Sequence, residues 1–563
     1  MVAMKTNLKS EHIDKISKLL IYSAVAITLV ITPWFNKESI TVPKLILLSL
    51  IASYLLPNLY YDIKLISKVN LGKFIVLVQL LIIAQLIIVT LISDAPFEQQ
   101  LFGRSGRSLG LIAHLSLVII LLAAVRYVDI TRNNFILKIF SITGILVSLY
   151  AIMQSFGIDF INWDTRTNGA ISTLGNPNFV AAFVAAATIP AIFALRNKTN
   201  TLIVFLIIAL SIFTIDRTES IQGYLALLVS CSFYLIVHFY HNLKRYFFIV
   251  GITTVCLFGW VISGALGHGI FSKYLYKTSV ESRGDFWRSA YTTANHNPIF
   301  GVGLDSFGDN YLKYRDQVAA DHSFSEFTDS AHNYLLDYAS QGGYTLAILH
   351  LVTIFTVLIS FLIYQKKSNY FNKNLTITFC AWLAFQSTFF VSPISVPLMM
   401  WSMIFSGAIL REALGVFITE NTKIDNKKQK TYTPIDFIRT ALLFCIVLFM
   451  FPLYHTDNKF LDSLNSGDGN LGLKVVEMYP RSTSRYFTVS RLFFESGQNQ
   501  YSLDVARSAI KFNDKSINAW GLVLVNPLAS YEERVIAKKR ILELDPFNKE
   551  VPNYEIINSN ESN

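Results

Sequence analysis

The sequence predicts an all-α, polytopic membrane protein of about 12–13 transmembrane helices, with a large extracytoplasmic loop and a C-terminal α-helical, repeat-like domain. Three observations predict it. Of 563 residues, 52% are hydrophobic and 15% charged, whereas soluble domains carry roughly 25% charge. Apolar runs of about 20 residues, the length that crosses a hydrocarbon core, recur along the chain. One long polar stretch, 265–341, interrupts them.

The apolar runs place spans near 18–35, 43–60, 73–93, 107–126, 135–156, 177–195, 201–215, 221–239, 246–264, 342–363, 375–392, 396–412 and 436–453. The chain therefore divides into a cytoplasmic N-terminus (1–17), a first membrane part (18–264), the loop 265–341, a second membrane part (342–453) and a polar tail (454–563). Lys and Arg gather in short cytoplasmic loops. With the N-terminus inside, one set of connections holds Lys5, Lys9, Lys15 and Lys18, then Lys64, Lys68 and Lys73, and later Lys366, Lys367 and Lys373. The alternate, outer connections hold only scattered cations such as Lys37, Lys44, Arg104, Arg107 and Arg217. The loop and the tail then both lie outside, on a multi-pass protein of the cytoplasmic membrane.

The basic N-terminus before an apolar run imitates a signal peptide. Thr32-Pro33-Trp34-Phe35 offers no small-residue cleavage pattern, so the run is read as a retained span. Cys231, Cys256, Cys380 and Cys445 all fall in predicted spans and are read as packing residues. The net charge of +10 follows from the inner-face bias with some basic excess in the tail, and calls for no nucleic-acid partner. In the tail, Ala506–Asp514 and Ala537–Pro546 read as helix ends at about a 32-residue offset, close to the tetratricopeptide period. Two or three such pairs are too few for an independent solenoid, so they dock on the membrane domain or on a partner; an ordinary helical tail is the alternative.

A polar excursion of this size between spans is either a separate domain or the wall of a site. The loop carries Arg283, Trp287, the turn Pro298–Gly303, the pair His332-Asn333, and Gly342-Gly343 at the next span. Arg is a planar, permanently charged fork suited to phosphate oxygens, and His titrates near neutrality.

This order of residues resembles the O-antigen ligase and polymerase superfamily over roughly residues 18–415. Leu174-Gly175-Asn176-Pro177-Asn178 is similar to its Gly-Asn-Pro-Asn signature, and Phe102-Gly103-Arg104 through Arg107-Ser108-Leu109-Gly110-Leu111 is similar to its early outer-loop motif. The resemblance implies a metal-independent glycosyltransferase without cofactors. Its donor is a glycan on a polyprenyl diphosphate of the undecaprenyl type, and its acceptor is a hydroxyl on a lipid, glycan, protein or wall polymer at the outer face. Arg283 matches the loop arginine that binds the diphosphate, and His332 the candidate base. The family's second arginine sits in a Ser-Arg-Gly motif, which Asp216-Arg217-Thr218-Glu219-Ser220-Ile221-Gln222-Gly223 replaces here. Arg217, Gln222 and Arg104 are the three candidates for that second contact. Trp287 is read as bracing the loop or a sugar face, and Asn176 as either a substrate contact or the cap of the sixth span.

His268, His296 and His322 lack motif support and are read as solvated, while Asp285, Asp305, Asp309 and Glu326 are open candidates to orient His332 or hold sugar hydroxyls. No Asp-X-Asp motif, Gly-rich phosphate loop with a following Lys, or metal-ligand spacing occurs. Ligation, repeat-unit polymerisation and protein O-glycosylation share this donor chemistry. A glycan flippase would need charges along a central path, and a scaffold that recruits an envelope protein through the tail would leave the loop motif unused.

Overall fold

The computed structural model describes residues 2–130, 134–163, 169–195, 201–242, 246–269, 272–275, 278–322, 327–367, 372–421 and 433–556. Among them all regular structure is helical. The membrane part comprises α1 (Val2–Leu29), α2 (Thr41–Ile66), α3 (Asn70–Ile92), the short α4 (Phe97–Phe102), α5 (Leu111–Tyr127), α6 (Phe135–Ser155), α7 (Pro177–Ala194), α8 (Thr201–Arg217), α9 (Ile221–Asn242) and α10 (Phe247–Ala265). The loop folds as α11 (Ser272–Leu275), α12 (Thr278–His296), α13 (Tyr311–Tyr314) and α14 (Gln317–His322). The chain then re-enters the bundle as α15 (Tyr334–Lys367), α16 (Lys373–Phe389), α17 (Val396–Asn421) and α18 (Thr433–Ser466).

Every predicted span coincides with one of these helices. Seven helices among the described residues are long and apolar enough to cross a membrane, and Leu111–Tyr127 and Phe248–Val261 are apolar but shorter. The protein is an all-α polytopic membrane protein.

Helices in lipid gain little from apolar burial against each other, so small residues that allow close approach decide who packs with whom. α7 is buried along an alanine-rich face including Ala181, Ala182, Ala185 and Ala186, and packs on α6, α9 and α16. A Cβ on Gly144 of α6 would meet Ala187 Cβ at 2.5 Å, and one on Gly407 of α17 would meet Ala124 Cβ of α5 at 2.5 Å. α5 is held among α2, α3 and α17. Between these contacts Phe140, Phe183, Phe385, Trp401 and Phe405 interlock, with the Phe140 ring 4.7 Å from that of Trp401. Leu77, Leu80, Leu81, Ile88 and Leu91 of α3 stay exposed on the opposite face, as lipid contact requires.

α18 runs 34 residues, about 51 Å at 1.5 Å per residue, well beyond a hydrocarbon core of about 30 Å. It runs on into the tail region and, after a turn at Gly467-Asp468, is followed by the tail helices α19 (Gly469–Glu477), α20 (Thr483–Glu495), α21 (Asn499–Phe512), α22 (Ile517–Val525) and α23 (Tyr531–Leu544). Neighbours pack as successive hairpins around two apolar clusters. α21 and α23, each 14 residues long, begin and end 32 positions apart, the offset seen in the sequence.

The tail docks on the loop. Arg315 Nη2 donates to both Asp545 carboxylate oxygens at 2.8 and 2.9 Å, and this pair is almost wholly buried. Arg481 pairs with Glu98 at 2.8 Å, Asn513 Nδ2 donates to Asp309, and Asp457 accepts from the Glu38 amide at 2.9 Å. Removing one partner of a buried pair strands the other charge at a cost of about 3–5 kcal/mol. Asp545→Ala is therefore expected to loosen the tail, read as tryptic cleavage beyond residue 466 at protease levels that leave the wild type intact.

Candidate functional site

The loop is pinned to the membrane bundle by glycines that admit close backbone approach. Gly301 (φ +64°) and Gly303 (φ +105°) let the turn after α12 fold against the start of α15, with Val302 N donating to Ser340 O (2.9 Å) and Gly303 N to Gln341 O (3.0 Å). Gly343 breaks helical geometry inside α15 at φ +77°, ψ 169°, and a Cβ there would lie 2.2 Å from Ile299 O. Only glycine occupies that region at low cost. Gln85 of α3 donates to Ile299 O (2.6 Å) and Gly342 O (2.9 Å), tying both segments to a membrane helix.

His332 lies in the turn just before α15 with φ +53°. Its neighbour Asn333, not His332, makes the helix-start bonds: Asn333 Oδ1 accepts from the Leu335 and Leu336 amides at 3.1 and 3.2 Å. The strained turn is clamped by Asp337, whose carboxylate accepts from Ser330 Oγ (2.7 Å) and Ala331 N (2.8 Å), while Ser330 Oγ in turn accepts from His332 N (3.0 Å). The imidazole packs on Phe286, with centroids 5.4 Å apart. Its buried Nδ1 makes no hydrogen bond among the described residues. Burial first, and then the Arg283 and Arg107 charges, push its pKa down to about 4 against the opposing pull of Asp329. The ring is therefore a neutral imidazole at pH 7, able to accept a proton.

Arg283, Phe286 and Trp287 share one face of α12 at helical spacing, and α12 packs on α15. Among the described residues no carboxylate pairs with Arg283, and burial lowers its pKa. Trp287 Nε1 is buried and unpartnered. A guanidinium without a counter-ion, an unpartnered indole N–H and a neutral imidazole thus lie along one helix face and the turn beside it, an arrangement that leaves donors for an anion and an acceptor for a proton.

The other arginines are occupied. Arg107 is held by Asp305 (2.9 Å), the Asp329 carbonyl (3.0 Å) and, more loosely, Asp337 (3.9 Å); burial acts to lower its pKa, and the three carboxylates together raise it. Arg104 turns toward the tail side, paired with Asp309 at 2.7 Å and lying over the Phe327 ring. Arg217 is partly exposed, with Asp216 beside it (3.7 Å) and its guanidinium over Phe213; neither it nor Arg104 is brought to His332. Gln222 is buried, donates to Ser392 Oγ (3.3 Å), and its Oε1 has no partner. Asn176 caps α7 by accepting from Asn178 N at 2.8 Å, and also lines a neighbouring cavity.

Of the acidic candidates, Asp305 and Asp309 serve the arginines, and Asp285 holds Arg288 (2.6 Å) and lies 3.1 Å from His322 Nδ1, so His322 has a hydrogen-bond partner and is not merely solvated. Glu326 lies outside the described residues. Sequence reasoning missed Asp337, Ser330 and Arg107 as the frame of the His332 turn. The signals were present: Arg107 belongs to the early motif, and Asp337 stands one turn into the helix that His332 precedes. Among the described residues no three His, Cys, Asp or Glu side chains gather as a metal requires.

Fold and site together define a polytopic, all-α membrane protein with a polar loop built around a histidine and an unpaired arginine. Residues 203–351 match the family model for O-antigen ligase, and this segment contains Arg217, Gln222, Arg283, Trp287 and His332 but not Arg104, Asn176 or the tail. The match supports a ligase or polymerase role of that family, a glycosyltransferase class of function. No curated protein matches the chain.

Asp337 acts through the turn and not on substrate. In Asp337→Asn the new amide N–H would confront one of the two donors, Ser330 Oγ or Ala331 N, and the carboxylate's attraction for Arg107 would be lost, shifting His332 by a fraction of an ångström; misplacement of about 1 Å costs about 10²-fold in rate. We expect kcat to fall between tenfold and about 10²-fold with the donor KM nearly unchanged, a split that general unfolding would not give.

Proposed function

We propose that the protein transfers a glycan from a polyprenyl diphosphate carrier to an acceptor hydroxyl at the outer face of the cytoplasmic membrane. The observation that supports it most is the pairing of an uncompensated, half-buried Arg283 with a neutral His332 on the loop that the family model matches. The acceptor oxygen attacks the anomeric carbon and its proton passes to His332. The bond from that carbon to the carrier's phosphate oxygen breaks, the electron pair leaves on the diphosphate, and Arg283 stabilises the developing charge. The imidazolium then returns its proton to solvent. His332 is held by backbone and by Ser330, with no carboxylate bonded to its ring among the described residues, so its basicity is set by burial first and then by the charges around it.

The acceptor is the open variable among lipid, glycan, protein and wall polymer, and the docked tail stands where a large acceptor or an envelope protein would meet the loop. The test is transfer by the purified protein in detergent, with a polyprenyl-diphosphate oligosaccharide and each acceptor class in turn. Release of polyprenyl diphosphate together with a glycosylated acceptor is the expected result. Glycan movement across a vesicle membrane with no new bond would overturn the proposal.

A further inference from the structure

A cavity of about 420 Å³ opens beside the site, between the start of α2 at Thr41, the start of α7 at Asn176-Pro177 and the start of α17 at Ser395-Val396. Arg107 forms part of its wall, and the aromatic Trp163 and Phe179 part of its lining. Lys44, in the first turn of α2, also lines it although only 1% exposed. Its ammonium donates to two neutral acceptors, Thr28 O (3.0 Å) and Thr173 O (2.6 Å). No carboxylate pairs with it among the described residues. An ammonium has three N–H donors, and a buried cation without a counter-ion costs several kcal/mol.

A second group has the same unmet demand. Ser395 Oγ, at the head of α17, is buried and has no hydrogen-bond partner. The positive ends of three helix dipoles, all of 18 residues or more, meet at the same space, and helix N-termini favour anions. The two carboxylates in the lining are already engaged. Glu38 accepts from Gly106 N (2.8 Å), Thr41 Oγ1 (3.1 Å) and Ser105 Oγ, and Asp329 stands against Arg107.

We propose that this cavity seats the diphosphate of the lipid carrier, with Lys44 as its fixed cation and Ser395 as a neutral donor. Lys44 thereby supplies the diphosphate with a second positive charge, which Arg217 and Arg104, each turned elsewhere, do not. Arg107 and Asp329, which line the cavity and whose charges also act on His332, connect the two places. The assignment rests on the donor reading for the source of the diphosphate. The anion site itself rests on Lys44, Ser395 and the three helix ends.

The test is equilibrium binding of farnesyl diphosphate and of inorganic pyrophosphate to the full-length protein in detergent, for wild type, Lys44→Gln, Ser395→Leu and His332→Ala. Lys44→Gln keeps a donor for the two carbonyls, so its Tm should be no lower than that of wild type. Its affinity for farnesyl diphosphate should fall at least tenfold. Ser395→Leu, which removes the hydroxyl and fills the cavity, should show a similar loss and decides the matter if Lys44→Gln does not fold. His332→Ala should bind as wild type does.

Unchanged affinity in folded Lys44→Gln or in Ser395→Leu overturns the site. Pyrophosphate binding as tight as farnesyl diphosphate binding overturns the lipid source. If binding depends on Lys44 while the wild type transfers no glycan, the transferase reading fails and the cavity stands. Full transfer by Lys44→Gln overturns the cavity's role alone.

Discussion

His332→Ala is expected to lose transfer by about 10²–10⁴-fold, the usual contribution of a positioned acid or base, while donor binding persists. The pH dependence separates a base from a packing histidine. With a pKa near 4 in the free protein, the ring is deprotonated throughout the neutral range, and kcat/KM should be flat from pH 8 to about 5 and fall as pH drops through about 4. An imidazole of so low a pKa is a weak base. A bound diphosphate would offset the Arg283 charge that helps hold it down, so the pKa seen in kcat, which reports the donor complex, should lie above that seen in kcat/KM. Coincident limbs, or activity retained in the folded alanine variant, would remove His332 from the chemistry. On the proposed mechanism the base would strengthen only when donor is present.

Arg283→Met is expected to lower transfer by about 10²–10³-fold, the scale of deleting one preorganised charge at a developing anion, with both KM for the donor and kcat affected. A second consequence has the opposite sign. Since the Arg283 charge depresses the imidazole, its removal should raise the His332 pKa in the free protein toward the ordinary value of about 6.5, followed by NMR of the ring protons. Arg283→Lys should keep the depressed pKa yet lose much of the rate, because an ammonium cannot grip phosphate bidentately. An unmoved His332 pKa in Arg283→Met would mean that the two groups do not communicate.

The helices were legible because an apolar run of about 20 residues has few alternatives to a membrane span. Gly301 and Gly303 were legible as turn formers and Gly342-Gly343 as the start of a span, and the structure adds that the two segments clasp one another. Arg283 and His332 stood out because residue type and order alone suffice to find a cation and a base. The frame of the site was not legible in the same way. Asp337 reads in sequence as one more polar residue at a helix start, and only folding back of the Ser330-Ala331 turn gives its carboxylate two donors. Arg104 and Arg107 look interchangeable three positions apart, yet the left-handed Ser108 and Gly106 between and after them send one toward Asp309 and the other to Asp305. Lys44 counted in sequence as a loop charge; its burial depends on the ends of α1 and of the 172–174 turn, which no local pattern brings together.

The kink at Gly343 and the grip of Gln85 on both the Pro298–Gly303 turn and Gly342 have a consequence for where the chemistry happens. The histidine turn and a lipid-crossing rod are one continuous piece of backbone, and a second rod holds that piece from the side. His332 is therefore held at a height fixed by the helices and not by the drift of a loop, and the proposed transfer would take place at that height. A carrier whose tail is dissolved in the bilayer presents its sugar at an altitude set by the lipid. On the proposed function, matching of those two heights would select among membrane-borne substrates before any hydroxyl or sugar is recognised.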